Sequence, residues 1–274
     1  MSKTKRRPNR RTLLAGMGAG ISAGIGTISA FGFTRAQAQT AAKTFVLVHG
    51  SWHGGWCWRR VADMLEKRGH KVFTPTLTGL GERSHLMSAM ITLDTHITDV
   101  TNVIKWENLD NVVLVGHSYA GFVVSGVAEK ALPSISSIVF LDAFLPENGE
   151  RVIDTAPPEL RATSLAAAAR NEVGRPIPPA KAFQVNEKDQ AWVDSKTTPQ
   201  PTFVSLQPIV LTGSREKVVK KTYIRATSYP NPNFDKNFEK LKSDPTWRTY
   251  GVPSGHDVMV DMPERLTEIL LEVG

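Results

Sequence analysis

This 274-residue chain predicts an α/β fold, a doubly wound and mostly parallel sheet with a small cap inserted before its last strands. Three observations carry that expectation. Short runs of Val, Ile, Leu and Phe alternate from Thr44 onward with stretches of helical spacing, as parallel strands buried on both faces do when crossover helices join them. Residues Asn111 to Gly121, NVVLVGHSYAG, read as strand, tight turn and helix with Ser118 at the apex. The rhythm then breaks between Glu147 and about Val219 and resumes afterwards.

Thr44 to Val48 (TFVLV) is the first strand, and it ends in a loop rich in glycine, His49 to Gly55. From Trp56 to about Arg68, Val61, Met64 and Leu65 recur at helical spacing, and Gly69 stops the helix. Lys71 to Pro75 (KVFTP) is the next strand, followed by a Thr/Gly loop from Thr76 to Arg83. Ile97, Val100 and Ile104 mark a helix between Ile91 and about Trp106. The apolar run Val112 to Val115 leads into the serine turn, and Phe122, Val123, Val124, Val127 and Ala128 form the helix beyond it. Ser137 to Leu141 (SIVFL) is a further strand ending at Asp142. The segment 147–219 holds many prolines, an alanine-rich helix around Leu165 to Arg170 and no clear buried strand, which suits a cap over a site better than a separate domain. Strands return at Lys221 to Ala226 and Trp247 to Val252, and a helix from Pro263 to about Leu271 closes the chain.

The formal charge of +7 is misleading as a sign of nucleic-acid binding. Seven of the 33 basic residues precede position 39 and no acidic residue does, which leaves 26 basic against 26 acidic residues in the remainder. A formally neutral body indicates no polyanion partner. The first 38 residues have the layout of an export signal: a basic start ending in Arg10-Arg11-Thr12-Leu13-Leu14, an uncharged Gly/Ala/Ser-rich segment, and an A-x-A site at Ala36-Gln37-Ala38. The paired arginines make it similar to a twin-arginine signal, so the mature protein is expected in the periplasm or secreted, without a stable membrane anchor. The glycines argue against a retained membrane span. Cys57 is the only cysteine, which excludes an internal disulfide and a cysteine metal cluster.

A serine at the apex of a strand–turn–helix is the context of a nucleophile elbow, G-x-S-x-G, although Ala120 stands where the second glycine is usual. Such a hydroxyl needs a base within reach and an acid to orient that base. His256 follows the last strand on the loop Pro253 to Asp257 and is the candidate base. Asp142 is the leading acid because it ends the strand after the serine unit in apolar surroundings; Asp235 and Asp257 are alternatives. The backbone amides of Tyr119 and of Ser51, in the loop after the first strand, are the candidate oxyanion donors. Trp52 in that loop is a candidate pocket residue, while Trp56 and Trp58 read as core packing. His53 and His117 have no assigned role. The seven histidines give no zinc cluster, and no cofactor or metal is implied.

With FVLVHGSWHGGWCW (Phe45 to Trp58), TLTGLGERSH (Thr76 to His85), GHSYAG (Gly116 to Gly121), FLDAFLP (Phe140 to Pro146) and GHD (Gly255 to Asp257), the chain resembles the α/β-hydrolase superfamily. More narrowly it is similar to small cap-bearing esterases related to plant methyl esterases and hydroxynitrile lyases. The resemblance implies an α/β-hydrolase fold and a serine esterase acting on a small-molecule carboxylic ester through an acyl-enzyme. It also implies a departure. The plant hydroxynitrile lyases carry a lysine after the catalytic histidine and a threonine in the first-strand loop, where this chain has Asp257 and Gly50, and that argues against cyanohydrin cleavage. The alternatives are a lyase or carbon–carbon hydrolase on the same scaffold, or a ligand-binding protein that keeps the scaffold without turnover.

Overall fold

The computed structural model describes residues 41–274; the predicted export segment, 1–38, lies outside them. Six strands form one sheet: β1 (Thr44–Val48), β2 (Lys71–Phe73), β3 (Val112–His117), β4 (Ile135–Leu141), β5 (Lys220–Ala226) and β6 (Trp247–Val252). Their spatial order is β2-β1-β3-β4-β5-β6, and every neighbouring pair is parallel. The helices of eight residues or more among the described residues are α1 (Arg59–Glu66), α2 (Leu93–Trp106), α3 (Ala120–Ala131), α4 (Pro158–Ala169), α5 (Glu187–Asp194), α6 (Pro232–Lys242) and α7 (Pro263–Val273).

The apolar runs are uninterrupted because both faces of the sheet are covered. Val46, Leu114 and Ile138 align across β1, β3 and β4 and pack with Ile97, Val100, Val124 and Val127 of α2 and α3. One residue on, Leu47, Val115 and Val139 face the other way and pack with Val61 and Leu65 of α1 and with Leu266 and Leu270 of α7. The period-two alternation of a strand thus feeds two separate cores. Each such buried side chain contributes roughly 1.5–3 kcal/mol, so a slip of one residue in any central strand would exchange the cores and leave both badly packed.

Element ends differ modestly from those read in the sequence. The edge strand β2 stops at Phe73, ahead of Pro75, which cannot donate to a ladder. A single 3₁₀ turn, Gly55–Trp58, precedes α1, so that helix begins at Arg59. β3 continues through Gly116 to His117, and β4 begins at Ile135, paired with Val112. The alanine-rich helix runs earlier than expected, Pro158–Ala169, with Pro158 at the first helical position, where its missing N–H costs nothing. Between β4 and β5 the only strands among the described residues are Gly174–Arg175 and Gln200–Pro201, a two-residue antiparallel ribbon.

The strand order positions the site. From β1 the chain steps outward to β2, returns past β1 to β3, and then proceeds through β4, β5 and β6. The direction therefore reverses between β1 and β3, and an open parallel sheet binds ligands beyond the carboxyl ends at such a switch point. Ser51 follows β1 and Ser118 follows β3. Asp142 follows β4, and His256 follows β6.

Candidate active site

The turn that carries Ser118 is held by close backbone approach. A Cβ on Gly116 would lie 2.8 Å from the Ala120 carbonyl oxygen, and one on Gly121 would lie 1.9 Å from the Phe144 carbonyl oxygen. These two glycines are therefore required, whereas the methyl of Ala120, fully buried, is accommodated where a second glycine is usual. Ser118 itself has φ +55°, a left-handed conformation that a non-glycine residue adopts only when its surroundings enforce it. The surroundings do so: the Ser118 amide donates to Leu141 O at 3.2 Å, and its carbonyl accepts from the amides of Gly121 (3.1 Å) and Phe144 (3.2 Å). Asp142 (φ +42°) and Trp52 (φ +64°) share that strain, so three site residues are held in left-handed backbone.

Asp142 is fully buried, and each of its oxygens has work to do. Oδ2 lies 2.6 Å from His256 Nδ1. Oδ1 accepts from Arg225 Nη1 at 2.7 Å and from the Ala226 amide at 3.0 Å. A carboxylate in apolar surroundings survives only with such partners, and Arg225, on β5, is the cation that sequence reasoning missed. Asp235, the alternative acid, is on the outer side of that same arginine, accepting from Arg225 Nε at 2.9 Å. Asp257, the other alternative, faces His53.

His256 is held by rings as well as by hydrogen bonds. The Tyr229 ring stacks on it at 4.5 Å, Phe234 lies nearly parallel at 5.8 Å, and His117 approaches to 4.4 Å. Its amide donates to Phe183 O at 2.9 Å. Gly255 lets that happen, since a Cβ there would sit 2.2 Å from the Gln184 carbonyl oxygen. Ser118 and His256 line one cavity, of about 790 Å³. Among the described residues no hydrogen bond joins the serine hydroxyl to the ring; in free enzymes this contact is commonly long and tightens around substrate.

Two backbone amides beside the serine are left without an acceptor. Neither the Ser51 nor the Tyr119 amide donates to a protein acceptor among the described residues, whereas the next amide in the first loop, that of Trp52, is already given to Gln200 Oε1 at 2.9 Å. Gly50 brings the loop onto the serine: a Cβ there would meet Ser118 Cβ and His117 Nδ1, each at 2.9 Å.

Behind His256 lies a second histidine–carboxylate pair that the sequence left without a role. His53 Nδ1 faces Ser51 O at 2.8 Å and its Nε2 faces Asp257 Oδ2 at 2.9 Å, both groups being buried. Only an imidazolium donates to both oxygens. Burial works to lower the pKa of His53, but the charge and hydrogen bond of Asp257 outweigh it and raise the pKa above the usual value. Burial likewise pushes Asp257 up, yet His53 outweighs it and holds the carboxyl at about 2. His117 stays neutral, its pKa pushed well below the imidazole range by burial and by the neighbouring His256, with Nε2 3.0 Å from the His256 carbonyl oxygen. The pair thus braces the loop that carries Ser51 and the loop that carries His256.

Alongside Tyr229 and Phe234 from the stretch after β5, the segment after β4 forms part of the cavity wall through Val152, Leu160, Arg175 and Phe183. It also grips Trp52, a predicted pocket residue that does line the cavity. The Trp52 indole donates to Pro176 O at 2.9 Å, and its carbonyl accepts from Thr198 N at 2.9 Å. Trp58 is fully buried, as expected of core packing. Trp56 departs from that expectation: it is half-buried, stacked on His53 at 5.3 Å and edge-on to Trp192 at 5.1 Å.

The alpha/beta hydrolase family model matches residues 45–269. The chain belongs to that family. Among its relatives is a carbendazim hydrolyzing esterase from Nocardioides sp. (strain SG-4G), 44% identical over 241 residues that cover 84% of this chain and 99% of that one. Salicylic acid-binding protein 2 of Nicotiana tabacum is 27% identical over 254 residues, covering 85% and 97%. An extracellular α/β-hydrolase from a Paenibacillus species, described as sharing homology with that tobacco protein, superposes with a TM-score of 0.72 at 24% identity over 85% of this chain and 99% of its own, a likeness of fold. The family membership and the parallel sheet both agree with the expectation drawn from the residue patterns.

Proposed function

We propose that this α/β hydrolase is a serine carboxylic-ester hydrolase. The observation that carries the reading is the contact of 2.6 Å between His256 Nδ1 and the buried Asp142, at the rim of the cavity that Ser118 also lines. Asp142 fixes the tautomer in which Nε2 is free to take a proton, and Arg225 holds the other oxygen of Asp142 at 2.7 Å. In the first half-reaction Ser118 Oγ loses its proton to His256 and bonds to the ester carbonyl carbon. The amides of Ser51 and Tyr119 hold the oxyanion while the alcohol leaves with the proton from His256. In the second half-reaction a water repeats the sequence, and the acid is released with Ser118 restored.

The esterase activities named for the relatives support this reading. The lyase alternative finds no support, because Gly50 leaves no room for a threonine beside Ser118 and His117 and because Asp257 is committed to His53. The test is a serine-directed organophosphonate followed by peptide mapping, together with Ser118→Ala. We expect the label on Ser118 and a loss of roughly 10⁴-fold or more in kcat with short-chain aryl esters. A variant that hydrolyses these esters at the parent rate would remove Ser118 from the mechanism.

Export is part of the proposal and rests on the residue pattern of positions 1–38 alone. The protein is expected in the periplasm or outside the cell after removal of that segment. Fractionation of cells expressing the full chain, with and without Arg10→Lys and Arg11→Lys together, checks it: the paired change should hold the protein in the cytoplasm, and unchanged export would contradict a twin-arginine route.

A further inference from the structure

Arg175 lies on the cap ribbon and lines the cavity shared by Ser118 and His256. Its guanidinium stands over the Trp52 indole, Cζ 5.4 Å from the ring centroid. Its Nε is covered from solvent and has no hydrogen-bond partner, and among the described residues no carboxylate pairs with the side chain. The neighbouring position repeats the pattern. Gln200, directly opposite Arg175 in the ribbon and fully buried, accepts the Trp52 amide at Oε1 and leaves Nε2 without an acceptor. Residues opposite each other in an antiparallel pair project from one face, and Gln200, which does not line the cavity, holds the Trp52 loop over which the Arg175 guanidinium stands.

A guanidinium cannot shed its charge, and its donors form a planar fork. Sheltering it without a counter-charge is unfavourable, and the contact with Trp52 offsets only part of that cost. Burial accordingly pulls the Arg175 pKa below its usual value, against the opposing effect of Tyr119. The one carboxylate on the cavity wall, Asp154, is no candidate partner, since Arg151 and Arg161 already hold it at 2.8 Å each.

We propose that Arg175 binds a carboxylate on the substrate, so that the favoured esters carry a free carboxylate besides the bond that is cleaved. This rests on the esterase reading above. A carboxylate matches the fork with two parallel hydrogen bonds and one charge. A doubly charged phosphate would leave its second charge unmatched beside Trp52 and Phe183.

The test uses mono-para-nitrophenyl esters of succinic, glutaric and adipic acids, each paired with the neutral para-nitrophenyl ester of the same chain length. The readout is the ratio of kcat/KM within a pair, because a general loss of packing or of turnover lowers both members alike. For the parent enzyme the best pair should favour the acid ester by roughly 10- to 100-fold, the range of a hydrogen bond to a charged group. Arg175→Met should bring that ratio to one or below, mainly through KM, and Arg175→Lys should restore part of it. A parent ratio of one or less for every pair, or a ratio that Arg175→Met leaves intact, overturns the assignment. If neutral esters are turned over through Ser118 without preference for charge, the Arg175 assignment alone falls; if no ester is turned over and Ser118 resists organophosphonate, the esterase reading falls with it.

Discussion

At the sheet edge, Ser118 and Asp142 extend from strands whose residues are mostly buried, and His256 follows β6, of which only Val252 is buried; the segment between β4 and β5 is built from helices and a ribbon of two-residue strands. The difference is also one of packing. β3 is buried along its whole length, whereas α4 buries none of its side chains and exposes Leu160 and Leu165. Strain is stored where the packing can enforce it, at Ser118 and Asp142. On the proposed reading, reaction geometry belongs to the sheet and choice of substrate to the cap, which meets the β1 loop at Trp52.

The sharpest way to break this division is through the acid. Asp142→Asn keeps the shape of the side chain but favours the wrong imidazole tautomer, and kcat should fall by roughly 10³- to 10⁴-fold. Asp235→Asn, by contrast, touches only the exposed side of Arg225 and should change kcat by less than about 3-fold. Steady-state kinetics on both variants checks the pair, and equal losses would mean that the two carboxylates share the work.

The bracing pair His53–Asp257 tests whether sheet-edge rigidity has an electrostatic share. Asp257 is held below its ordinary value, so its contribution is present above about pH 4 and is lost as pH falls toward 2. His53 is raised, so its contribution is complete below about pH 6.5 and is lost as pH climbs through the higher folded value. Asp257→Asn should cost about 3 kcal/mol between those limits, and the gap to the parent should narrow on both sides. Thermal or urea unfolding across the pH range measures it; a gap independent of pH would assign the pair a purely steric role.

A smaller effect should come from the cap. Gln200→Ala releases the Trp52 amide and loosens the loop that carries Ser51. We expect kcat/KM to fall about 10-fold while stability changes little, because the ribbon itself joins only two residues on each side. A loss of stability without loss of activity would show that the cap grip is structural only.

Most of the sheet was legible in the sequence because a strand buried on both faces is written largely in apolar residues, as the runs at 44–48, 112–115 and 137–141 are. The candidate base and acid were legible because they stand at strand ends in the order the fold requires. What was not legible depends on pairing across distance. Arg225 read as one cation inside a strand, and nothing local announces that it faces Asp142, 83 residues away. His53 and Asp257 lie 204 positions apart and become a pair only when the β1 and β6 loops meet. Asp142 could be ranked over Asp235 by its apolar context, but separating the two needed the geometry of Arg225, which holds one on each side. The cap was legible only as a break in rhythm, since two-residue strands and short helices leave no periodicity to read.

The most direct test of the central claim, that Ser118 is the nucleophile worked by His256 and Asp142, is an acid quench within the first turnover of a para-nitrophenyl ester, followed by mass analysis of the peptides. The account predicts one acyl group, on the peptide containing Ser118, appearing with the initial release of nitrophenol and greatly slowed in Asp142→Asn. An acyl group found instead on His117 or Cys57, or steady hydrolysis with Ser118 unmodified at every quench time, would contradict it.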